Sequence, residues 1–232
     1  MPAAVFFDTD NTLYEYYPAN KLANKAVCLK AKNLLGVDEK TFFEIFEDAR
    51  KQIKSQLSNT ASSHSRLLYY QRVLELLGLK AQLLIALDLE QTFWRTFLGN
   101  APLFPHVIQT LNFIRSKNIP IAVVTDLTSH VQLRKLTYFG LEDMFDAVVT
   151  SEEVGADKPD KRNFELVQQK LGLDSPHNVW MVGDDPYTDI YGARQYGAIS
   201  FQKIHTNVKL GSGENQPDYS FTDFRDLQKL IV

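Results

Sequence analysis

Met1-Pro-Ala-Ala-Val5-Phe-Phe-Asp8-Thr-Asp10-Asn-Thr12-Leu13 opens the chain, and its reading decides the fold. Val5, Phe6 and Phe7 make a short apolar run that ends in a carboxylate, which reads as a buried strand over 5–8 with an acid at its carboxyl end. The next stretch has a different character. From about residue 17 to 98, Leu, Ala, Phe and Ile recur at three- and four-residue spacing through 21–35, 40–57, 65–77 and 82–98, with breaks at Gly36, 58–63 and Gly78. That spacing predicts four helices and no strand among them. Beyond Pro102 strand-like runs at 119–125, 147–150, 179–183 and 198–201 alternate with helical stretches near 106–117, 129–139, 161–171 and 188–196, and a last helix is signalled at 224–230. Such alternation predicts right-handed crossovers and a doubly wound parallel sheet. The opening strand has no crossover helix of its own, so it belongs to that later sheet and the helical block is an insertion. The expected organisation is an α/β core of residues 1–16 and 99–232 with an all-helical cap of residues 17–98.

Composition narrows the classes of function. A chain of 232 residues is long enough for one substantial core with a smaller accessory domain. Its net charge of -3, with acids and bases interspersed, argues against nucleic acid as a partner. No apolar run approaches the roughly 20 residues that cross a bilayer, and the opening segment lacks a basic stretch before its apolar run, so neither a membrane span nor a secretory signal is expected. The single cysteine, Cys28, sits in a helical pattern with no base nearby and reads as core filler in a reducing, cytoplasmic setting. Monomer and homodimer both remain open.

Four segments carry chemistry, each at or just beyond the carboxyl end of an expected strand: Asp8-Thr-Asp10-Asn-Thr12, Thr125-Asp126, Gly155-Ala-Asp-Lys158-Pro159 and Gly183-Asp184-Asp185-Pro-Tyr-Thr-Asp189. Each alone is unremarkable, because Asp and Thr end strands as turn formers and helix caps. Open α/β sheets bind ligands outside the carboxyl ends of their strands, where strand order reverses. If the first strand lies between the second and the fourth, as in the common order for such sheets, Asp8 and Asp184 meet at that point with Thr125 on the other flank. Carboxylates packed that closely repel one another unless a cation sits among them. Asp8, Asp10 and Asp184 are hard oxygen donors without an interleaved His or Cys, which selects Mg2+ over zinc. His106, His130, His177 and His205 read as surface or packing residues.

These segments, in this order, resemble the haloacid dehalogenase superfamily, in its phosphatase branch with a helical cap inserted after the first motif. The wording is especially close from Gly140 through Lys158-Pro159 and from Val182-Gly183-Asp184 through Asp189 to Ala193. The resemblance spans essentially the whole chain. It implies a small phosphorylated substrate and an in-line attack by Asp8 that forms an aspartyl-phosphate. Asp10 would protonate the leaving alkoxide and then deprotonate the water that releases phosphate, and its main-chain carbonyl would ligate Mg2+. Thr125 would bond a phosphoryl oxygen, and Lys158 would neutralise charge there and keep Asp8 ionised. Asp184 would be the second carboxylate on the metal. Asp189 would hold metal-bound water or a neighbouring backbone group, and Asp185 would be an outer support of the site or a helix cap.

Two positions depart from the family's usual wording. Asn11 stands where Gly is commoner, and Asn tolerates a left-handed backbone. Asp126 stands where Asn commonly follows the motif Thr, and it places a negative charge beside the phosphate position. Asn11 and Asp126 are therefore candidate substrate contacts. The cap is expected to close over the core and set selectivity. In it, Arg66 is a candidate for a second phosphate or a sugar hydroxyl, as are His64, Tyr69 and Tyr70; the other reading is an amphipathic helix whose Tyr side chains pack and whose Arg is solvated. Tyr14, Tyr16 and Tyr17 either stack on a nucleobase or plug the hinge. The expected function is hydrolysis of a nucleotide or sugar phosphate. Dehalogenation of 2-haloacids is the nearest rival, and it needs neither Mg2+ nor the acid at Asp10. Phosphomutase activity and a catalytically idle binding role are the further alternatives.

Overall fold

Apolar runs too short for a helix, bounded by turn residues, form the strands of the sheet. The computed structural model describes residues 1–231. In chain order the elements are β1 (Ala4–Phe7), α1 (Tyr16–Leu35), α2 (Glu39–Gln56), α3 (Arg66–Leu76), α4 (Leu83–Leu98), α5 (Val107–Ser116), β2 (Ile121–Thr125), α6 (Ser129–Tyr138), β3 (Ala147–Thr150), the short α7 (Ser151–Val154), α8 (Arg162–Leu171), β4 (Val179–Gly183), α9 (Gly192–Tyr196), β5 (Ile199–Lys203), β6 (Tyr219–Phe221) and α10 (Arg225–Leu230). The strands make one six-stranded sheet in the order β3-β2-β1-β4-β5-β6, every pair parallel. Phe7 lies beside Val123 on one side and Val182 on the other. All residues of β1, β2 and β4 are buried, as expected of parallel strands covered on both faces.

The chain divides into two units, Met1–Glu15 with Leu103–Val232, and Tyr16–Pro102. In the first, Phe6, Val124, Val149, Phe164, Val167 and Met181 belong to the core between the sheet and its helices. The second is all-helical apart from its loops. Its α1 buries small residues, Ala19, Ala23 and Ala31, while α4 buries Phe93, Trp94 and Phe97. Phe46 of α2 sits against Tyr69 and Tyr70 of α3. Asp38 and Ser65 cap α2 and α3 by accepting from the N–H groups of Thr41 and Leu68.

Three local features differ from the sequence expectation. α1 begins at Tyr16, upstream of Pro18, because a proline in the first turn has no N–H bond to forfeit. The helix expected over 188–196 is a π-helical turn, Pro186–Tyr191, running into α9. β6 is an additional edge strand of three residues, two of them exposed, too short for any period to reveal. Among the described residues no helix is long and apolar enough to cross a membrane.

Candidate active site

Sheet order brings the motif residues together. β1 lies between β2 and β4, so Asp8 after β1, Thr125 at the end of β2 and Asp184 after β4 leave neighbouring strands at the same edge. Asp8 N–H donates to Val182 O at 2.9 Å, carrying the strand pairing one residue past β1. The chain then turns, with Thr12 and Leu13 N–H donating to Thr9 O. Asn11 adopts φ 58° in this turn, the left-handed region for which a small polar side chain suffices.

Lys158 is the hub. Its ammonium donates to Asp8 Oδ1 at 2.7 Å, to Asp189 Oδ1 at 2.6 Å and to Val124 O at 3.0 Å, which uses all three of its protons. Burial works against its charge, but Asp189, Asp8 and Asp126 outweigh burial and hold the ammonium well above the usual lysine range. Asp189 Oδ2 accepts from the N–H groups of Asp184 and Asp185, at 3.1 and 3.0 Å. Gly183 makes that approach possible, since a Cβ there would run into the Asp189 side chain. Asp185 caps the π-helical turn by accepting from Tyr187 and Thr188 N–H. Of the two tasks open to Asp185, the structure assigns the cap.

Carboxylate oxygens of Asp8, Asp184 and Asp189 lie within 4.8 Å of one another. The Asp184 carboxylate has no hydrogen-bond or ion-pair partner among the described residues. Burial, with Asp189, Asp8 and Asp185 adding to it, pushes its pKa up to about 9. Burial likewise lifts Asp189 to about 7 against the pull of Lys158, and raises Asp8. Three carboxylates against one ammonium leave a deficit of positive charge that a divalent cation would fill. The donors are hard oxygens with no imidazole or thiolate among them, so the site fits Mg2+. Asp8 and Asp184 are carboxylates that could hold it. Asp189, with both oxygens engaged, braces Lys158 and the loop of Asp184.

On the other flank Thr125 is buried in a polar network. Its hydroxyl lies 2.9 Å from that of Thr9 and accepts from Gln132 Nε2 at 2.8 Å. Gln132 also donates to Asp126 O and accepts from the Thr9 hydroxyl. Asp126 Oδ1 accepts from Lys158 N–H at 2.9 Å, and burial lifts its carboxyl to about 6 against the pull of Lys158. Asp10, partly exposed, is held by Lys135 Nζ at 2.8 and 2.9 Å to its two oxygens and by the Tyr14 hydroxyl. Arg66 belongs to the helical unit. Its guanidinium stacks 3.5 Å from the ring centre of Phe93 and donates to the Tyr16 hydroxyl and Asn20 Oδ1, both at 2.7 Å.

Sequence reasoning missed Gln132, Lys135, Thr9 and the hydroxyl of Tyr14. One signal was present: in α6, Gln132, Lys135 and Leu136 share one face by their spacing, and all three are buried. A polar pair on the inward stripe of a helix marks groups that need partners. Of the three tyrosines, Tyr14 packs on Phe139, Tyr16 packs on Phe97 within the helical unit, and Tyr17 is half exposed.

Fold and site together define a class: an α/β enzyme with its crevice at the carboxyl edge of a doubly wound sheet, where hard oxygen donors gather round one ammonium. The family description of haloacid dehalogenase-like hydrolases matches residues 2–197. The chain is 40% identical, over 100% of both proteins, to the ribulose-1,5-bisphosphate 5-phosphatase of Halopiger xanaduensis. It is 34% identical to the glyceraldehyde 3-phosphate phosphatase of Methanothermobacter thermautotrophicus, across 92% of this chain and 89% of that one. The crystal structure of an HAD phosphatase from Thermococcus onnurineus resembles it with a TM-score of 0.72 and 25% identity, covering 98% of this chain and 97% of the other. The chain belongs to the haloacid dehalogenase-like hydrolase family and is a phosphatase within it.

Proposed function

We propose that the chain hydrolyses a phosphate monoester of a small sugar by way of a phosphorylated Asp8. The observation that carries this is the buried cluster of Asp8, Asp184 and Asp189 around Lys158. Asp8 attacks phosphorus as the bond from phosphorus to the leaving oxygen breaks, and Asp10 gives that oxygen its proton. A water then attacks the phosphorus of the aspartyl-phosphate, Asp10 takes its proton, and phosphate leaves with Asp8 restored. Lys158 keeps Asp8 ionised and offsets charge on the phosphoryl group. The Thr125 hydroxyl, oriented by Gln132, reaches a phosphoryl oxygen. Asp8, Asp184 and the main-chain carbonyl of Asp10 would hold Mg2+, which when bound would neutralise charge on the phosphoryl oxygens.

Asn11 and Asp126 border the phosphate position; Asp126 also fixes the backbone of Lys158. Arg66, committed to Tyr16, Asn20 and Phe93, holds the helical unit in shape. Two sugar phosphatases among the similar proteins support the substrate class, and the relative named for ribulose 1,5-bisphosphate favours that compound as the first to try. The buried thiol of Cys28 suits a reducing, cytoplasmic setting. Phosphate release is to be followed with ribulose 1,5-bisphosphate, glyceraldehyde 3-phosphate, nucleoside monophosphates and a 2-haloacid, each with Mg2+ and with EDTA. Release from a sugar phosphate that EDTA abolishes is expected. Preference for nucleotides would overturn the substrate class, and halide release without metal would overturn the reaction.

A further inference from the structure

We propose that Lys135 is a positioning residue that aims the carboxylate of Asp10, the acid and base of the reaction proposed above, on which this inference rests. A lysine with its side chain 1% exposed is an expensive occupant of a helix face packed on a sheet. A leucine would fill the same space without a charge to desolvate. Lys135 instead reaches from α6 to both oxygens of Asp10, at 2.8 and 2.9 Å. Tyr14 adds a second donor through its hydroxyl.

Asp10 needs such support because it lies beyond β1, outside the ladder of the sheet, where its backbone makes an isolated bridge with Tyr14 that leaves the side chain free to turn. An unrestrained aspartate samples several rotamers, and proton transfer requires it within hydrogen-bond reach of the leaving oxygen. α6 supplies the restraint twice over. Lys135 grips the carboxylate directly, and Phe139, at the end of α6, packs against the ring of Tyr14 with centres 4.7 Å apart. One turn earlier on the same face, Gln132 orients Thr125. A single helix outside the four motif segments therefore aims both the phosphoryl-binding hydroxyl and the proton-transfer group.

The test is a double-mutant cycle of Lys135→Met with Asp10→Asn, measured on p-nitrophenyl phosphate and on the sugar phosphate that the wild-type enzyme turns over fastest. Loss of aim at Asp10 is expected to lower kcat of Lys135→Met on the sugar phosphate by roughly 100-fold. KM is expected to stay within about threefold, since ground-state binding is untouched. The first turnover of p-nitrophenyl phosphate, whose leaving group needs no proton, falls much less. In the Asp10→Asn background Lys135→Met causes no further loss. Losses that multiply in the double variant would overturn the proposal, as would a Lys135→Met enzyme with wild-type kcat beside a crippled Asp10→Asn. Should Lys135→Met fail to melt cooperatively, Tyr14→Phe enters the same cycle: a loss that vanishes in Asp10→Asn supports the clamp, and one that multiplies sinks it. If Asp10→Asn is itself harmless on both substrates, the proton-transfer role of Asp10 fails and the inference falls with it.

Discussion

The crevice of the α/β unit and the interior of the helical unit are both well buried, yet they bury opposite things. Around β1, β2 and β4 the chain hides Asp8, Thr125, Gln132, Lys135, Lys158 and Asp189, each at 7% exposure or less. Within the helical unit the buried set is Ala, Phe, Tyr, Trp, Val, Leu, Ile53 and Cys28, with only the uncharged Ser63 and Thr92 as polar members among the described residues, and the one guanidinium of note, Arg66, stacks on a ring. Apolar burial stabilises by removing surface from water and tolerates exchange of like for like. Buried charge survives only when each group is paired, so every member depends on the others. The difference teaches where chemistry lies: charge is hidden where its desolvation is put to use, and the helical unit is built for shape.

The contrast can be broken from either side, and the largest effect falls on Lys158. Lys158→Met leaves Asp8 and Asp189 buried without their cation, so unfolding free energy should fall by about 3–5 kcal/mol, in urea titration, along with loss of turnover. A drop below about 1 kcal/mol would mean that the cluster is no tighter than a surface pair.

Next in size is the coupling of metal to pH. In the metal-free protein Asp184 at about 9 and Asp189 at about 7 lie above their unfolded values, so the native state holds more protons than the unfolded chain. Stability without metal should therefore fall as pH rises from the ordinary carboxylate range towards those values. Mg2+ competes with the same protons and should raise the melting temperature more at pH 8 than at pH 6. Equal shifts at both pH values would contradict the sign. Smallest is Arg66→Met, which removes a ring-stacked cation and should cost about 1 kcal/mol in thermal melts, with kcat near wild type. A selective rise in KM for a bisphosphate would instead restore Arg66 as a substrate contact.

Much of this was legible in the sequence because it is periodic or local. The parallel sheet follows from buried runs such as Val5-Phe-Phe and Ile121-Ala-Val-Val alternating with helices, and the helical unit from its three- and four-residue spacing. Meeting of Asp8 and Asp184, with Thr125 on the other flank, follows from sheet order. Lys135 was legible only as half of a polar pair on one helix face, for a physical reason: a lysine in a helix is solvated by default, and only the approach of Asp10, 125 positions away, turns it inward. The length of β6 lay below any detectable period, and the start of α1 was hidden by Pro18, whose tolerance in a first turn depends on the structure around it. For Asp189 the sequence allows either a metal-bound water or a backbone partner, and the N–H groups of Asp184 and Asp185 are the backbone groups it holds.

Whether Asp8 becomes phosphorylated is open to direct measurement. Asp10→Asn protein mixed with Mg2+ and p-nitrophenyl phosphate, quenched in acid and digested, should carry one phosphoryl group on the peptide containing Asp8. It should also release a burst of nitrophenolate close to one equivalent. A burst with the phosphoryl group on another residue, or turnover with no labelled peptide at any quench time, would contradict a nucleophilic Asp8.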